Sequence, residues 1–383
     1  MIKTKPVAFI VANNLPPAND GVGHYSYNLY QRLKENDINA KILTNRINTE
    51  SAYISNPDII ELDIDNWNWI GCWNFFKVIQ KKQPDLLLIQ YVPYSFSKNG
   101  FPFYFTFVLI LLRIGGTKML ISLHEISVRF LENGFRSFFR AFLQRLIAYT
   151  LCCISTNILT SNKYYASLLY PFKARVIPIP SNFEQLINTG IKTDDESNNR
   201  IVITSTANRC YETFFEIISL LAKDNRNEFI INITGRANNS DLSRINNLTE
   251  KFTLNKIINC KVNLSENKYC DILSNTNIFL HLEYVSSKGA GGVSTKSGVI
   301  ATAMAFGLPI VTTCGDMTDK YIFKNKENLL FVPYDKPFTA TNDIQMLIKN
   351  ISVRKELSKD ARSTYITHMQ WSKSIEYYLS VLN

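Results

Sequence analysis

The chain has 383 residues, of which 46% are hydrophobic and 19% charged, and Lys and Arg outnumber Asp and Glu by 42 to 32. This composition excludes a disordered or acidic solvating chain, and the length favours two domains. The seven Cys residues are odd in number and lack CxxC spacing, so they indicate neither a disulfide framework nor a zinc site. We therefore expect a protein of the reducing cytosol.

Neither a signal peptide nor a transmembrane helix is expected. The apolar run at residues 7–12 ends at Asn13 and is too short for a signal-peptide core. The longest apolar run, residues 101–114, has about 14 residues, whereas a membrane span needs roughly 20.

The first half of the chain alternates short apolar runs with helical patterns. Residues 7–12 predict a buried strand, and after a polar loop Gly21-Val22-Gly23 opens a helical pattern that runs to Leu33. Further strands are predicted at residues 40–44, 86–90, 119–123 and 157–160. Such alternation is typical of a parallel sheet covered by helices on both faces.

A polar, Asn-rich stretch at residues 188–200 separates this half from a second alternating series. Strands are predicted there at residues 201–204, 229–234, 256–262, 278–282, 310–313 and 329–332. The predicted organisation is a domain at 1–183, a linker at 184–200, a domain at 201–365, and a C-terminal helix at 366–383 that packs back on the first domain. Both domains are predicted to be doubly wound, and such domains bind ligands at the carboxyl ends of their strands.

The excess of positive charge is local. Residues 98–183 contain ten basic and two acidic side chains. Five apolar side chains follow at helical spacing in the same segment: Phe135, Phe138, Phe139, Phe142 and Leu146. We expect this stripe to pack into the core, as most such stripes do, while the neighbouring Arg136 and Arg140 keep an anionic membrane surface open as the alternative. Nucleic acid is not an expected partner, because no binding motif accompanies the charge.

Two glycine-rich loops are candidates for anion binding. Gly21-Val22-Gly23 precedes a helix, where free N–H groups favour a phosphate, although a simple packing turn is the alternative. It lies eight residues after its strand and has Ser26 in the third glycine position, which disfavours a dinucleotide site. The loop at residues 289–298 is the stronger signal, because Ser297 can cap the following helix, Gly298 admits a ligand and Lys296 adds charge. A diphosphate would suit it.

In this order the motifs resemble the GT-B glycosyltransferases, specifically the family 4 group that builds bacterial surface polysaccharides. The resemblance runs nearly from end to end and is most specific over residues 292–313. It implies an α/β protein of two doubly wound Rossmann-like domains facing across a cleft. It further implies retaining transfer from a nucleoside-diphosphate sugar, which is a substrate, with no cofactor and no metal.

The resemblance also implies roles for individual residues. His124 and Glu125 are the expected catalytic residues, with a satisfied core histidine as the alternative for His124, and Gln90 and Tyr91 lie on the acceptor side. The expected donor-binding residues are Gly21, Val22, Gly23, Arg209, Gly235, Arg236, Gly292, Ser294, Lys296, Ser297 and Gly298.

Two departures from the family pattern leave other functions open. The family's two glutamates, eight positions apart, fall at Ser294 and Thr302, and Arg209 is the only cation where an Arg and Lys pair is usual. A non-catalytic GT-B protein that binds a glycan or a partner glycosyltransferase, and an epimerase of the same fold, are therefore alternatives. Asp63-Ile64-Asp65 has the DxD form of metal-dependent transferases, but its alternation with apolar residues favours the solvent face of a strand.

The function expected from the sequence is transfer of a sugar to a glycan or a lipid-linked acceptor. The expected location is the cytoplasm, and a peripheral position on the inner face of the membrane, in contact through residues 98–183, is the alternative that the local charge keeps open.

Overall fold

The computed structural model describes residues 6–16, 20–45, 56–62, 67–130, 135–187, 200–225 and 228–382. The chain forms two compact units, one made of Met1–Pro178 with Trp371–Asn383 and the other of Ile179–Gln370. All seven cysteines are free thiols.

The first unit is built on a parallel sheet whose seven strands, within the described residues, follow the order β3-β2-β1-β4-β5-β6-β7. Its elements are β1 (Val7–Val11), α1 (Gly21–Glu35), β2 (Asn39–Thr44), β3 (Ile59–Glu61), α2 (Trp69–Lys82), β4 (Leu86–Tyr91), α3 (Pro93–Phe96), α4 (Phe103–Ile114), β5 (Met119–Leu123), α5 (Phe135–Ile154), β6 (Asn157–Thr160), α6 (Lys163–Leu168) and β7 (Arg175–Val176). Strands β4 and β5 are buried along their whole length, as expected of central strands covered on both faces.

The order of strands determines which face each helix covers. The chain moves from β1 outward to β3, returns to β4 on the other side of β1, and then continues to β7. Right-handed crossovers therefore put α1 on one face and α2, α4 and α5 on the other. In agreement, α4 packs between α2 and α5. The switch point, where ligands bind in such sheets, lies between β1 and β4.

The second unit has the same plan, with six parallel strands in the order β10-β9-β8-β11-β12-β13 in its described part. Its elements are β8 (Ile201–Thr206), α7 (Glu212–Asn225), β9 (Phe229–Thr234), α8 (Asn239–Lys251), β10 (Ile258–Cys260), α9 (Glu266–Ser274), β11 (Ile278–His281), α10 (Gly298–Ala305), β12 (Ile310–Thr312), β13 (Leu330–Phe331), α11 (Pro337–Lys349) and α12 (Ile351–His368). The switch point lies between β8 and β11. Every strand predicted from an apolar run is present, and β5, β6 and β9 have the predicted ends, whereas the other strands differ at one end or both.

The chain passes from the first unit to the second at Pro178, five residues before the predicted end of the first domain. Residues just after this point are fastened to the second unit: the Ile179 N–H donates to the Thr295 carbonyl oxygen at 2.8 Å, and the Ser181 hydroxyl lies 2.9 Å from that of Thr302. Most of the predicted linker, residues 188–199, lies outside the described residues.

The C-terminal helix α13 (Trp371–Leu382) belongs to the first unit and packs against α1. The Trp371 ring stacks on that of Tyr25 with centroids 5.0 Å apart, and the Tyr378 and Tyr25 hydroxyls lie 3.1 Å apart. The predicted start at residue 366 was too early, because α12 continues to His368 within the second unit.

The core packing expected of the α5 stripe is wrong for its described residues. Phe138, Phe139, Phe142 and Leu146 have 41 to 55% of their surface exposed. Helix α5 instead buries a second stripe, formed by Ala141, Ile147, Ala148 and Leu151, in the first unit. Its two apolar stripes compete for the sheet, and the one with smaller side chains is buried.

Among the described residues one helical segment, Arg136–Ile154, is long and apolar enough by length and composition to cross a membrane, although none was expected. A third of it (33%) is buried within the protein. Because one side of this segment packs in the first unit and the other is exposed, it has the form of a surface helix of the domain.

Candidate functional site

A chain of polar side chains lies at the carboxyl ends of β4 and β5 in the first unit. His124 Nε2 is 2.8 Å from Gln90 Oε1, and the Tyr378 hydroxyl is 3.1 Å from the hydroxyls of both Ser122 and Tyr25. The edge of the Tyr25 ring faces the half-buried His124 ring, with centroids 5.2 Å apart. Burial raises the pKa of Tyr25 and of Tyr378, so their hydroxyls stay neutral hydrogen-bonding groups.

The neutral amide of Gln90 therefore orients His124, and with Gln90 Oε1 accepting, Nε2 carries the proton. The sequence analysis missed Ser122, Tyr25 and Tyr378 as members of this cluster. Ser122 was signalled by its period-2 spacing from His124 on one strand, whereas Tyr378 arrives from the far end of the chain and had no local signal.

Of the other two residues predicted around His124, Glu125 is partly exposed and Tyr91 is fully buried. Side chains alternate along β4, so Tyr91 points away from Gln90 and its ring stacks on Phe96 at 6.1 Å. Burial raises the pKa of Tyr91. The acceptor-side role of Tyr91 stays a prediction, which the full burial of its side chain disfavours.

The first glycine loop is organised for packing. Asp20 caps α1 by accepting from the Val22 N–H at 3.0 Å, and a Cβ at Gly23 would lie 2.3 Å from the Asn14 carbonyl oxygen. Gly21 has open space around it. A capping carboxylate already occupies the Val22 N–H that the sequence analysis offered to a phosphate, which favours the packing turn.

A cavity of about 650 Å³ opens at the switch point of the first unit, after β1 and β4. Five amide side chains contribute to its wall: Asn13, Asn14, Asn45, Asn68 and Asn99. Asn13 Oδ1 accepts from Trp67 Nε1 at 2.8 Å and from Asn45 Nδ2 at 2.7 Å, so the amides are held in place. Amide groups beside aromatic rings, with Lys98 as the one charged residue in the described part of the wall, fit an uncharged polyhydroxylated ligand.

The second unit has its own polar cluster, at the carboxyl ends of β8 and β11. Arg209 Nε lies 2.9 Å from Glu283 Oε2, and Glu283 Oε1 is 3.1 Å from His281 Nε2. On the other side of the ring, His281 Nδ1 is 3.1 Å from the Thr206 hydroxyl. The carboxylate accepts from Nε2, so the hydroxyl donates to Nδ1.

The surroundings of His281 and Glu283 determine their charge states. Burial lowers the pKa of His281, which therefore stays neutral. Burial also opposes ionisation of Glu283, but the hydrogen bond from His281 and the charge of Arg209 outweigh it and hold the Glu283 pKa at about 2. Glu283 thus fixes the guanidinium of Arg209, the cation predicted to grip a diphosphate. No motif in the sequence pointed to His281, and its spacing of two from Glu283 at a strand end was the available signal.

In the glycine-rich loop after β11, the backbone at Gly292 passes very close to the backbone at Gly315. A Cβ at Gly292 would lie 2.2 Å from the Gly315 nitrogen, and the Gly292 N–H donates to the Tyr284 carbonyl oxygen at 3.1 Å. Gly292 is therefore needed for backbone packing, and its N–H is already used. Ser294 nearby is buried.

Helix α10 begins directly after this loop, with Ser297 as its N-cap. Ser297 accepts from the Ile300 N–H at 3.3 Å, so its predicted capping role is confirmed. A Cβ at Gly298 would meet Ile179 and Pro180 at an ordinary 3.8 Å. The half-buried Lys296 immediately precedes this helix start.

Gly235 and Arg236 follow β9, the neighbour of β8, with Gly235 at a positive φ of 89° and Arg236 exposed. Carboxyl ends of parallel strands meet at one edge of a sheet, so these residues, Arg209 and the loop before α10 share that edge of the second unit.

Among the described residues no group of three or more His, Cys, Asp or Glu side chains is placed to hold a metal ion. Asp63 and Asp65 of the DxD sequence lie outside the described residues.

Neither a protein-family model nor a curated protein matches the sequence. Solved structures do match. Sucrose-phosphate synthase from Thermosynechococcus elongatus has a TM-score of 0.74 at 14% identity, covering 99% of both chains. A glycosyltransferase from Rickettsia africae has a TM-score of 0.67 at 14% identity, covering 99% of this chain and 98% of the other.

Two further structures bear on ligands. The Anabaena protein HepE in complex with UDP and glucose has a TM-score of 0.67 at 12% identity, covering 98% of this chain and all (100%) of HepE. A putative UDP-N-acetylglucosamine 2-epimerase from Listeria monocytogenes has a TM-score of 0.59 at 10% identity over 94% and 92% of the two chains. With two doubly wound parallel sheets and these full-length matches, the chain has the two-domain Rossmann-like GT-B fold.

Proposed function

We propose that this protein is a glycosyltransferase that moves a sugar from a nucleoside-diphosphate sugar to a glycan or a lipid-linked acceptor. The observation that carries the proposal is the cationic edge of the second unit, where Arg209 is fixed by Glu283 and Lys296 precedes a capped helix start. The fold is shared with a glycosyltransferase and with a protein that binds UDP and glucose.

On the donor side, the diphosphate lies at this edge. Arg209, Lys296 and the N-terminus of α10 stabilise the negative charge that grows on the leaving diphosphate as the sugar departs. We propose that these groups act in place of a metal ion, and that transfer retains the anomeric configuration, as the resemblance to family 4 implies.

On the acceptor side, the amide-lined cavity of the first unit binds sugar hydroxyls. His124, oriented by Gln90, hydrogen-bonds the transferring sugar or the acceptor hydroxyl. We place the protein in bacterial surface polysaccharide synthesis, in the cytoplasm and peripheral on the inner membrane, with no nucleic-acid partner.

The proposal is tested with a panel of nucleotide sugars. Calorimetric titration identifies the nucleotide, and chromatography of a reaction with a labelled sugar and candidate acceptors detects transfer. We expect the panel to contain a ligand that raises the unfolding midpoint, since a ligand of the native state stabilises it. Binding without transfer or donor hydrolysis would favour a non-catalytic glycan- or partner-binding protein, and no binding to any nucleotide sugar would overturn the proposal.

An epimerase is the second candidate, because a putative epimerase shares the fold. It would convert a nucleotide sugar without an acceptor. Proton transfer at a sugar carbon calls for an available base, and Glu283, with a pKa of about 2 and an Arg partner, is a poor one. Nuclear magnetic resonance of a nucleotide sugar incubated with the protein alone separates the two functions.

A further inference from the structure

One face of the first unit is unusually apolar for a surface. We call it the aromatic face and define it by ten exposed side chains of α2, α4 and α5: Trp69, Ile70, Phe103, Tyr104, Phe107, Ile114, Phe138, Phe139, Phe142 and Leu146. Between 41 and 78% of each side chain is exposed. Contiguous apolar patches of this kind on soluble proteins mark interaction sites.

The patch is continuous because its three helices form one layer. Helix α4 packs against both α2 and α5, on the same side of the sheet. The Trp69 ring bridges α2 and α4, with its centroid 5.9 Å from those of both Tyr104 and Phe107. Helix α4 buries Phe105, Val108, Leu109 and Leu112 on its inner side, so it is apolar on both sides up to Arg113 in its last turn. A helix with this pattern needs an apolar environment on both sides.

Charge on the same helices has one sign. Helices α2, α4 and α5 contain no Asp or Glu and seven basic residues: Lys77, Lys81, Lys82, Arg113, Arg136, Arg140 and Arg145. All except Arg145, which lies over the Phe130 ring at 4.1 Å, are exposed. Bulky aromatic residues flanked by basic ones are the composition of surfaces that rest in the headgroup region of a bilayer.

We infer that the aromatic face docks on an anionic lipid bilayer, with α4 and α5 lying in the plane of the interface. A symmetric dimer through this face would bring the six exposed basic residues of one copy near those of the other, which disfavours a second copy as the occupant. Helix α5 lies on the membrane rather than across it, because its inner stripe is committed to the domain core.

Docking through the aromatic face also determines where the amide-lined cavity lies. Phe103 and Tyr104 belong to the aromatic face and also to the wall of the amide-lined cavity. A docked protein therefore holds this cavity beside the lipid headgroups, where a lipid-linked acceptor would present its sugar. Docking deepens the peripheral location given under the proposed function, and only this consequence for the acceptor rests on sugar transfer itself.

Vesicle binding by the purified full chain tests the inference without any nucleotide sugar. Vesicles of phosphatidylcholine alone are compared with vesicles that also contain phosphatidylglycerol, at low and high salt. We expect binding to the anionic vesicles that weakens with salt, and quenching of Trp69 fluorescence by lipids brominated in the acyl chain. Trp69 is the most exposed of the four Trp residues, and Trp69→Phe should remove most of the quenching.

Two double variants separate the contributions of positive charge and of exposed aromatic area to vesicle binding. Arg136→Gln with Arg140→Gln should lower affinity for anionic vesicles roughly 30-fold, at about fivefold for each charge. Phe139→Ser with Phe142→Ser should lower it at least about tenfold. The matched controls are on the second unit: Lys355→Gln with Lys359→Gln for charge, and Tyr321→Ser with Phe338→Ser for exposed aromatic area.

Circular dichroism melting confirms that each variant is folded. The inference is overturned if the wild-type chain ignores anionic vesicles, binds neutral ones equally, or loses binding as much in the controls as in the face variants. Sedimentation velocity without lipid should give a monomer; a dimer that the Phe variant abolishes would instead assign the face to a second copy.

Discussion

At the scale of single residues, His124 has the geometry of a group that acts on a sugar hydroxyl. It follows a central strand, is only half buried, and is oriented by Gln90 at 2.8 Å. His124→Ala should lower the turnover number for transfer by about 10²- to 10⁴-fold, since a positioned acid or base contributes that much. UDP affinity should stay unchanged, because the proposed donor residues belong to the other unit. His368→Ala is the control, and equal losses in both variants would reject a catalytic role.

Glu283 provides a prediction about pH. Its pKa falls from 4.5 in the unfolded chain to about 2 in the native state. A lowered acid pKa stabilises the native state above pH 4.5, and the contribution disappears as pH falls towards 2. Glu283→Gln should therefore cost roughly 3 kcal/mol at neutral pH, and its difference from wild type should shrink below pH 4.5.

Urea unfolding at a series of pH values measures this difference. The exposed Glu356→Gln serves as the control and should change little at any pH. A gap between wild type and Glu283→Gln that stays constant down to the acid limit would show that the carboxylate does not hold its charge for Arg209.

At the scale of elements, the start of α1 distinguishes a packing glycine from a binding one. A Cβ at Gly23 would lie 2.3 Å from the Asn14 carbonyl oxygen, whereas Gly21, two residues earlier, meets nothing within 4 Å. Gly23→Ala should lower the free energy of unfolding by about 1–3 kcal/mol, the usual cost of overpacking. Gly21→Ala should be nearly neutral, and if both variants unfold alike, the close approach to Asn14 does not constrain the loop.

Elements were also the scale at which sequence was most informative. Short apolar runs predicted the central strands of both sheets, because such strands are buried on both faces and leave an unbroken apolar signal, whereas the short strands β3 and β7 at the edges of the first sheet have no such run. The apolar pattern did not decide between two possible orientations in two places. Helix α5 has two apolar stripes, either of which could face the sheet, and β4 ends in Gln90 and Tyr91, whose side chains point to opposite faces. Spacing alone does not say which side meets the sheet.

Contacts between side chains that are far apart in the chain could not be predicted from the sequence for a similar reason. Tyr378 joins Tyr25 across 353 positions, and the amides of the first-unit cavity come from four separate loops. Their positions follow from strand order and from the return of α13, which no local pattern encodes. The contact between His281 and Glu283, which are two residues apart, could have been predicted from their spacing and was not.

At the scale of the whole molecule, the chain is divided so that all four Trp residues lie in the first unit: Trp67, Trp69, Trp73 and Trp371. Tryptophan fluorescence therefore follows unfolding of the first unit alone, whereas calorimetry follows both. Each unit has its own sheet and core, so we expect two thermal transitions.

A saturating nucleotide should distinguish these transitions. Because the proposed diphosphate groups, Arg209 and Lys296, belong to the second unit, UDP should raise only the calorimetric transition that fluorescence does not see. At about 100 times its dissociation constant a ligand stabilises by about 2.7 kcal/mol, which for a unit of this size corresponds to a shift of roughly 5–10 °C. A shift confined to the fluorescence transition would move the nucleotide to the first unit and refute the assignment of Arg209. If UDP raises both transitions equally, the two units unfold together. In that case the assignment of the donor site to Arg209 holds only if Arg209→Ala abolishes the UDP-induced shift.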